Sequence, residues 1–124
     1  MIAGIGCDII EISRIKKALR DGRFAEKCFT ASERAYFAGR GVHAAESAAA
    51  CFAAKEAVSK ALGTGISGFC MTDIEVLHNG AGQPYVRLYN NAASLAAGAR
   101  VHLSLSHCRE YAAAYAVAET QEKE

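Results

Sequence analysis

Glu56 and Lys60 lie one helical turn apart in the stretch FAAKEAVSKALGTG, residues 52–65, so a carboxylate and an ammonium point the same way. One reading is a solvated ion pair worth about 0.2–0.5 kcal/mol. The other is a carboxylate that holds a cation and a lysine that holds the phosphate beside it. A further carboxylate, Asp8, sits inside the apolar run IAGIGCDIIEI, residues 2–12. An ionised carboxylate buried alone costs several kcal/mol. Asp8 is therefore paired, caps a neighbouring segment, or binds a cation. Gly63, Thr64 and Gly65 close the first stretch as a tight loop with backbone N–H groups free to meet a ligand. His107 ends a later strand and is, by residue type, a structural hydrogen-bonder or an acid–base group.

These groups need elements to position them. Residues 52–62 read as helix, because Ala, Glu, Lys and Leu are strong helix formers and no proline interrupts them. At helical spacing Ala54, Ala57, Val58, Ala61 and Leu62 form an apolar stripe, with Lys55, Glu56, Ser59 and Lys60 opposite. Gly63 stops the helix by taking the left-handed conformation that costs a side chain most. The helix is predicted to begin near Ala44, after a Gly39-Arg40-Gly41 loop.

Residues 2–12 read as a strand, rich in β-branched Ile2, Ile5, Ile9, Ile10 and Ile12. Gly4 and Gly6 interrupt that pattern and predict a close approach to the backbone. Ser13 is the expected N-cap of a helix over about 14–21. That segment and its continuation carry Arg14, Lys16, Lys17, Arg20, Arg23 and Lys27 against only Asp21 and Glu26. The face is either simply solvated or a docking surface for an acidic partner. Thr30 and Glu33 make a capping box, so a helix follows from Thr30 to Gly39.

After a loop over 66–72, strands are expected at 73–77 and 84–89, joined by the turn from His78 to Gly82. An Ala-rich helix over 90–99 follows. Residues 101–107 alternate as a strand, with Val101, Leu103 and Leu105 on one face and His102, Ser104 and Ser106 on the other. Residues 111–119 form the last strand, with helix as the competitor because of the alanines, and a polar tail closes the chain. The fold class is α+β: antiparallel strands packed on a long central helix. At 124 residues, with no linker or repeat, residues 1–124 are read as one domain.

The totals exclude some functions. A content of 52 % hydrophobic and 22 % charged residues fits a globule and argues against disorder. The net charge of +1 implies no general affinity for nucleic acid or anionic membrane. The five cysteines, Cys7, Cys28, Cys51, Cys70 and Cys108, are scattered and form no C-x-x-C. With no signal peptide at Met1, they are expected as reduced thiols packed as small hydrophobes in a cytoplasmic protein.

Three stretches, Gly4-Ile5-Gly6-Cys7-Asp8-Ile9-Ile10-Glu11, residues 52–65, and residues 102–119 headed by Leu103-Ser104-Leu105-Ser106-His107, resemble the holo-acyl-carrier-protein synthases. These are the small group of the 4′-phosphopantetheinyl transferases. The N-x-x-G-x-P turn from Asn79 to Pro84 fits as well, and the match runs in order over nearly the whole chain. The resemblance implies transfer of the phosphopantetheine arm of coenzyme A to a serine of apo acyl carrier protein, in fatty acid biosynthesis, with release of adenosine 3′,5′-bisphosphate. It implies Asp8 and Glu56 as ligands of Mg²⁺ and, with Lys60, as the catalytic group. It implies contacts to coenzyme A from Lys60, Gly63, Thr64, Gly65, Pro84 and His107, and carrier-protein docking on Arg14, Lys17 and Arg20. It also implies a homotrimer with sites built across subunit contacts.

The base that takes the serine proton is left open between Glu56 and a water held by the ion. The chain departs from the pattern at Cys51, where many relatives carry an arginine. That leaves the grip on the 3′-phosphate open between Arg40 and a neighbouring subunit. Two other readings of the same residues are a different Mg²⁺-dependent pyrophosphate enzyme and a non-catalytic carrier-protein or nucleotide-binding module.

Overall fold

The computed structural model describes residues 1–63 and 68–121. Strand β1 (Ile2–Glu11) leads into three short helices, α1 (Ile12–Ala18), α2 (Gly22–Cys28) and α3 (Ala31–Ala38). The long helix α4 (Ala44–Ala61) follows, then β2 (Ile74–His78), β3 (Pro84–Leu88), α5 (Asn90–Ala96), β4 (Arg100–His107) and β5 (Tyr111–Glu119). The strands form two antiparallel sheets, one ordered β1-β5-β4 and the other the β2-β3 hairpin. The α+β class and the long central helix are as expected.

Small residues set the distance between that helix and the larger sheet. Gly4, Gly6 and Asp8 of β1 stand opposite Ala118, Ala116 and Ala114 of β5, and Val101, Leu103 and Leu105 of β4 pair with the same three alanines. Ala112, Ala114, Ala116 and Ala118 are all buried. A Cβ on Gly4 would lie 1.9 Å from the Ala61 carbonyl oxygen, and one on Gly6 2.0 Å from that of Ala57. The close approach read from these two glycines is that of α4. In β5 the alternation of buried alanines with Tyr111 and Tyr115 matches a strand, and sheet pairing on both edges overrides the helical preference of alanine.

Local signals place several boundaries. Thr30 and Glu33 form the reciprocal capping box at α3, and Gly39 is its C-cap. Gly63 takes φ +92° just past the end of α4. Five expectations are corrected. Strand β1 ends at Glu11, so Ile12 opens α1. Ser13 is not its N-cap; Glu11 is, without a side-chain bond, and the Ile12 N–H donates instead to the Glu110 carbonyl at 2.8 Å. The basic segment is two helices rather than one, because Asp21 accepts from the Arg23 N–H at 3.0 Å and restarts the chain as α2. Strand β2 starts at Ile74, because Asp73 is used as a cap on the Cys70 N–H. Helix α5 stops at Ala96, where Ala97 and Gly98 take positive φ.

The two-faced reading of α4 is also corrected. Lys55 and Ser59 are fully buried, along with Ala48, Ala49, Ala53, Ala54, Ala57 and Val58. The helix runs through the middle of the molecule, with β1 and β5 on one side and α1, α3 and β2 on others. The thiols are all free, but only Cys28 and Cys51 are buried; Cys7, Cys70 and Cys108 are exposed.

Candidate active site

Strand β1 carries Asp8 on the face that meets α4, two residues beyond the contact at Gly6. The helix answers with Glu56 and, one turn on, Lys60. Lys60 Nζ donates to the Cys7 carbonyl at 2.9 Å and stands 3.4 Å from Asp8 Oδ1. Its ion pair is thus with Asp8, fifty-two residues away, and not with Glu56. Asp8 is about four-fifths covered and Lys60 is half exposed. Asp8 and Glu56 line one cleft of about 310 Å³ with Phe24, Phe52, Ile15 and Arg14. Burial, then the Asp8 charge, pushes the Glu56 carboxyl above its usual range, with Lys60 opposing. The two carboxylates share the cleft with two cationic groups, Lys60 beside Asp8 and Arg14 in the lining.

This donor set suits a hard divalent ion of limited protein coordination. No group of three or more His, Cys, Asp or Glu that could hold a metal occurs among the described residues. A two-carboxylate site matches Mg²⁺, which retains water and takes substrate phosphate oxygens, better than Zn²⁺ or Ca²⁺.

Arg14 borders the cleft, and Arg14, Lys17 and Arg20 are exposed along α1 and its end. Gly63 lies at the C-terminal end of α4. Thr64 and Gly65 lie outside the described residues. Pro84 and His107 are brought together elsewhere. They line a cavity of about 370 Å³ with Tyr36, Arg40, Ser47 and His78, and this cavity shares no residue with the Asp8–Glu56 cleft. Within one chain the expected site residues therefore fall into two groups. His107 Nε2 stands 4.0 Å from Glu46 Oε2, which also hydrogen-bonds His43 Nδ1 at 3.2 Å.

Sequence reasoning missed the buried ion pair beneath the site. Lys55 Nζ lies 2.7 Å from Glu33 Oε1, both side chains fully buried. Lys55 also donates to the Met71 and Ile74 carbonyls, at 3.0 and 2.6 Å. Glu33 accepts from the Thr30 and Val76 N–H groups and from Cys51 Sγ at 3.2 Å. Burial and the Glu33 charge hold the Cys51 thiol well above its ordinary range. The pair locks α3, α4 and β2 together and so fixes the turn of helix that presents Glu56. The capping box was the one available signal, since it already turned Glu33 inward.

The family model of the 4′-phosphopantetheinyl transferase superfamily matches residues 4–116. A holo-[acyl-carrier-protein] synthase of Alkaliphilus metalliredigens is 52% identical over 122 residues, covering 95% of this chain and 99% of that one. The crystal structure of a holo-(acyl-carrier-protein) synthase from Bacillus anthracis, in complex with CoA (3′,5′-ADP), is 42% identical with a TM-score of 0.84, over 98% of this chain and 99% of that one. The holo-[acyl-carrier-protein] synthase of Neisseria meningitidis is 35% identical with a TM-score of 0.86, over 97% of this chain and 100% of that one. On the site geometry, the fold and this full-length likeness, the chain belongs to the holo-[acyl-carrier-protein] synthase family of the 4′-phosphopantetheinyl transferase superfamily.

Proposed function

We propose that this protein transfers the 4′-phosphopantetheine group of coenzyme A to a serine of apo acyl carrier protein in fatty acid biosynthesis, with Mg²⁺ held by Asp8 and Glu56. The observation that carries the proposal is the convergence of Asp8, Glu56 and Lys60 from a strand and a helix. When bound, the ion supplies charge neutralisation on the two phosphates. Asp8 and Glu56 hold their carboxylates on one wall of the cleft, leaving its mouth open for a pyrophosphate. Lys60, half exposed beside Asp8, supplies the ammonium that meets the departing phosphate. The serine hydroxyl gives its proton to Glu56 or to a water in the cleft as its oxygen bonds the β-phosphorus. The bridging oxygen leaves with adenosine 3′,5′-bisphosphate. Positioning and charge stabilisation supply most of such a rate.

Arg14, Lys17 and Arg20 form the docking face for the acidic carrier protein. Arg14 reaches from that face to the cleft, which brings the carrier serine to the reacting phosphate. The homotrimer is supported by the outer face of the larger sheet. Ile5, Ile9 and Tyr115 are 71%, 66% and 64% exposed there, an apolar surface that one chain leaves uncovered. A neighbour on that face offers a way to bring its Pro84 and His107 to the coenzyme A bound at Asp8 and Glu56. No described helix is long and apolar enough to cross a membrane, and the five free thiols fit a reducing cytoplasm.

The test is mass spectrometry of apo acyl carrier protein incubated with the enzyme, coenzyme A and Mg²⁺. Gain of the pantetheine arm is expected. Glu56→Gln should lower the rate roughly 100-fold or more, as removal of a charge-stabilising group does elsewhere. No transfer by folded wild-type protein, or full activity in Glu56→Gln, would overturn the proposal.

A further inference from the structure

A groove of about 830 Å³ runs between β3 and β4 and shares no residue with the Asp8–Glu56 cleft. It meets the Pro84–His107 cavity only at Pro84 and Leu103. Its walls are two strands that each lack a neighbour on one side. Strand β3 is bonded only to β2 and β4 only to β5, and no backbone hydrogen bond joins β3 to β4 among the described residues.

Strand alternation sorts the side chains of these walls. Val86, Leu88, Val101 and Leu103 are half-buried against the core and make an apolar floor. Arg87 and Arg100 alternate with them and stand exposed on the rim. The carboxylates opposite these arginines in the sheets are already engaged. Glu75, opposite Arg87, accepts from the Thr30 and Tyr89 hydroxyls at 2.7 and 2.8 Å. Glu119, opposite Arg100, is bonded to His102 Nε2 at 3.0 Å. No described residue lining the groove is acidic, and neither arginine is ion-paired with a described carboxylate.

Unpaired strand edges are satisfied by water or by another main chain. A small anion would use the two guanidinium groups and leave the edges and the floor idle. An extended peptide uses all three. Its main chain meets the free N–H and C=O groups, apolar side chains lie on the floor, and carboxylates between them reach the rim. Strand β3 has five residues and is about 17 Å long, so five or six extended residues span the groove. We infer that the β3–β4 groove binds an extended acidic peptide segment of a partner protein, held by main-chain pairing and by Arg87 and Arg100. The site lies apart from the transfer chemistry and does not depend on it.

Fluorescence anisotropy on the full-length protein tests this. The probe is a labelled peptide of alternating Glu and Val, about six residues long. Two controls accompany it: the same peptide with Lys in place of Glu, and the acidic peptide N-methylated at alternate residues, which cannot pair as a strand. Saturable binding of the acidic peptide alone is expected, weakening as salt is raised. Arg87→Gln and Arg100→Gln should each weaken it roughly 5- to 10-fold, as for exposed charge pairs at the upper end of their range. Far-ultraviolet circular dichroism and the rate of phosphopantetheine transfer should stay as in wild type, because both arginines lie outside the cleft. Absence of saturable binding, equal binding of either control peptide, or binding indifferent to both substitutions overturns the inference. So does a change in sedimenting mass on substitution without a change in peptide affinity, which would assign the groove to a second copy of this chain.

Discussion

Lys55 sits next to Glu56 in sequence and faces the opposite world. Its ammonium is fully buried against Glu33 and two carbonyls, and every lone pair and proton in that cluster has a partner. Such a pair adds little stability over an apolar isostere, but loss of one partner strands the other's charge. Lys55→Met is therefore expected to lower the unfolding free energy by about 3–5 kcal/mol in urea denaturation. A change under about 1 kcal/mol would show that Glu33 is satisfied by its other donors alone. No sequence pattern separates the roles of Lys55 and Lys60. Both are lysines on one helix, and only what packs against each decides that one is structural and the other faces the cleft.

At the scale of the element, α4 and β1 define the site through the absence of side chains. The helix carbonyls of Ala57 and Ala61 occupy the space where Cβ atoms of Gly6 and Gly4 would be. A helix backbone has no rotamer with which to yield, so Gly6→Ala must push α4 off the sheet. Overpacking of this kind costs about 1–3 kcal/mol, and the upper end is expected because the obstacle is backbone. The same shift moves Glu56 and Lys60 away from Asp8. Coupled loss of denaturation midpoint and transfer rate is the predicted outcome, and an unchanged midpoint would refute the packing argument. The glycines were legible as a close approach, but the partner was not, since it lies more than fifty residues on. Secondary structure was legible wherever its cause was local, as at the Thr30–Glu33 box and the alternation of Val101, Leu103 and Leu105. It was misjudged where a short polar side chain chose between caps, as Asp21 and Asp73 did.

At the scale of the whole molecule, the described candidate residues Asp8 and Glu56 line one cavity, and Pro84 and His107 line another across the same helix. A trimer through the outer sheet face offers a way to reunite them across subunits. Ile5 is more exposed than Ile9 or Tyr115 on that face, pairs in the sheet with Val117, and lines neither the Asp8–Glu56 cleft nor the Pro84–His107 cavity. Ile5→Asp is expected to leave the single chain folded and to convert a species of three chain masses into one, as read by sedimentation equilibrium, with loss of transfer. A variant that remains trimeric, or a wild type that sediments as one chain, would remove this face from the assembly.

By itself the sequence determined the kinds of groups available and the elements that carry them, because caps, turns and alternation depend on residues a few positions apart. It also supplied the motifs whose order and spacing identify the family. Only the tertiary structure decided which groups meet: Lys60 with Asp8 and not with Glu56, Lys55 with Glu33, Arg40 with Ser47 beside the Tyr36–His78 stack. Those pairings depend on burial from every side of α4, and burial is set by segments far away in the chain, on which local periodicity carries no information.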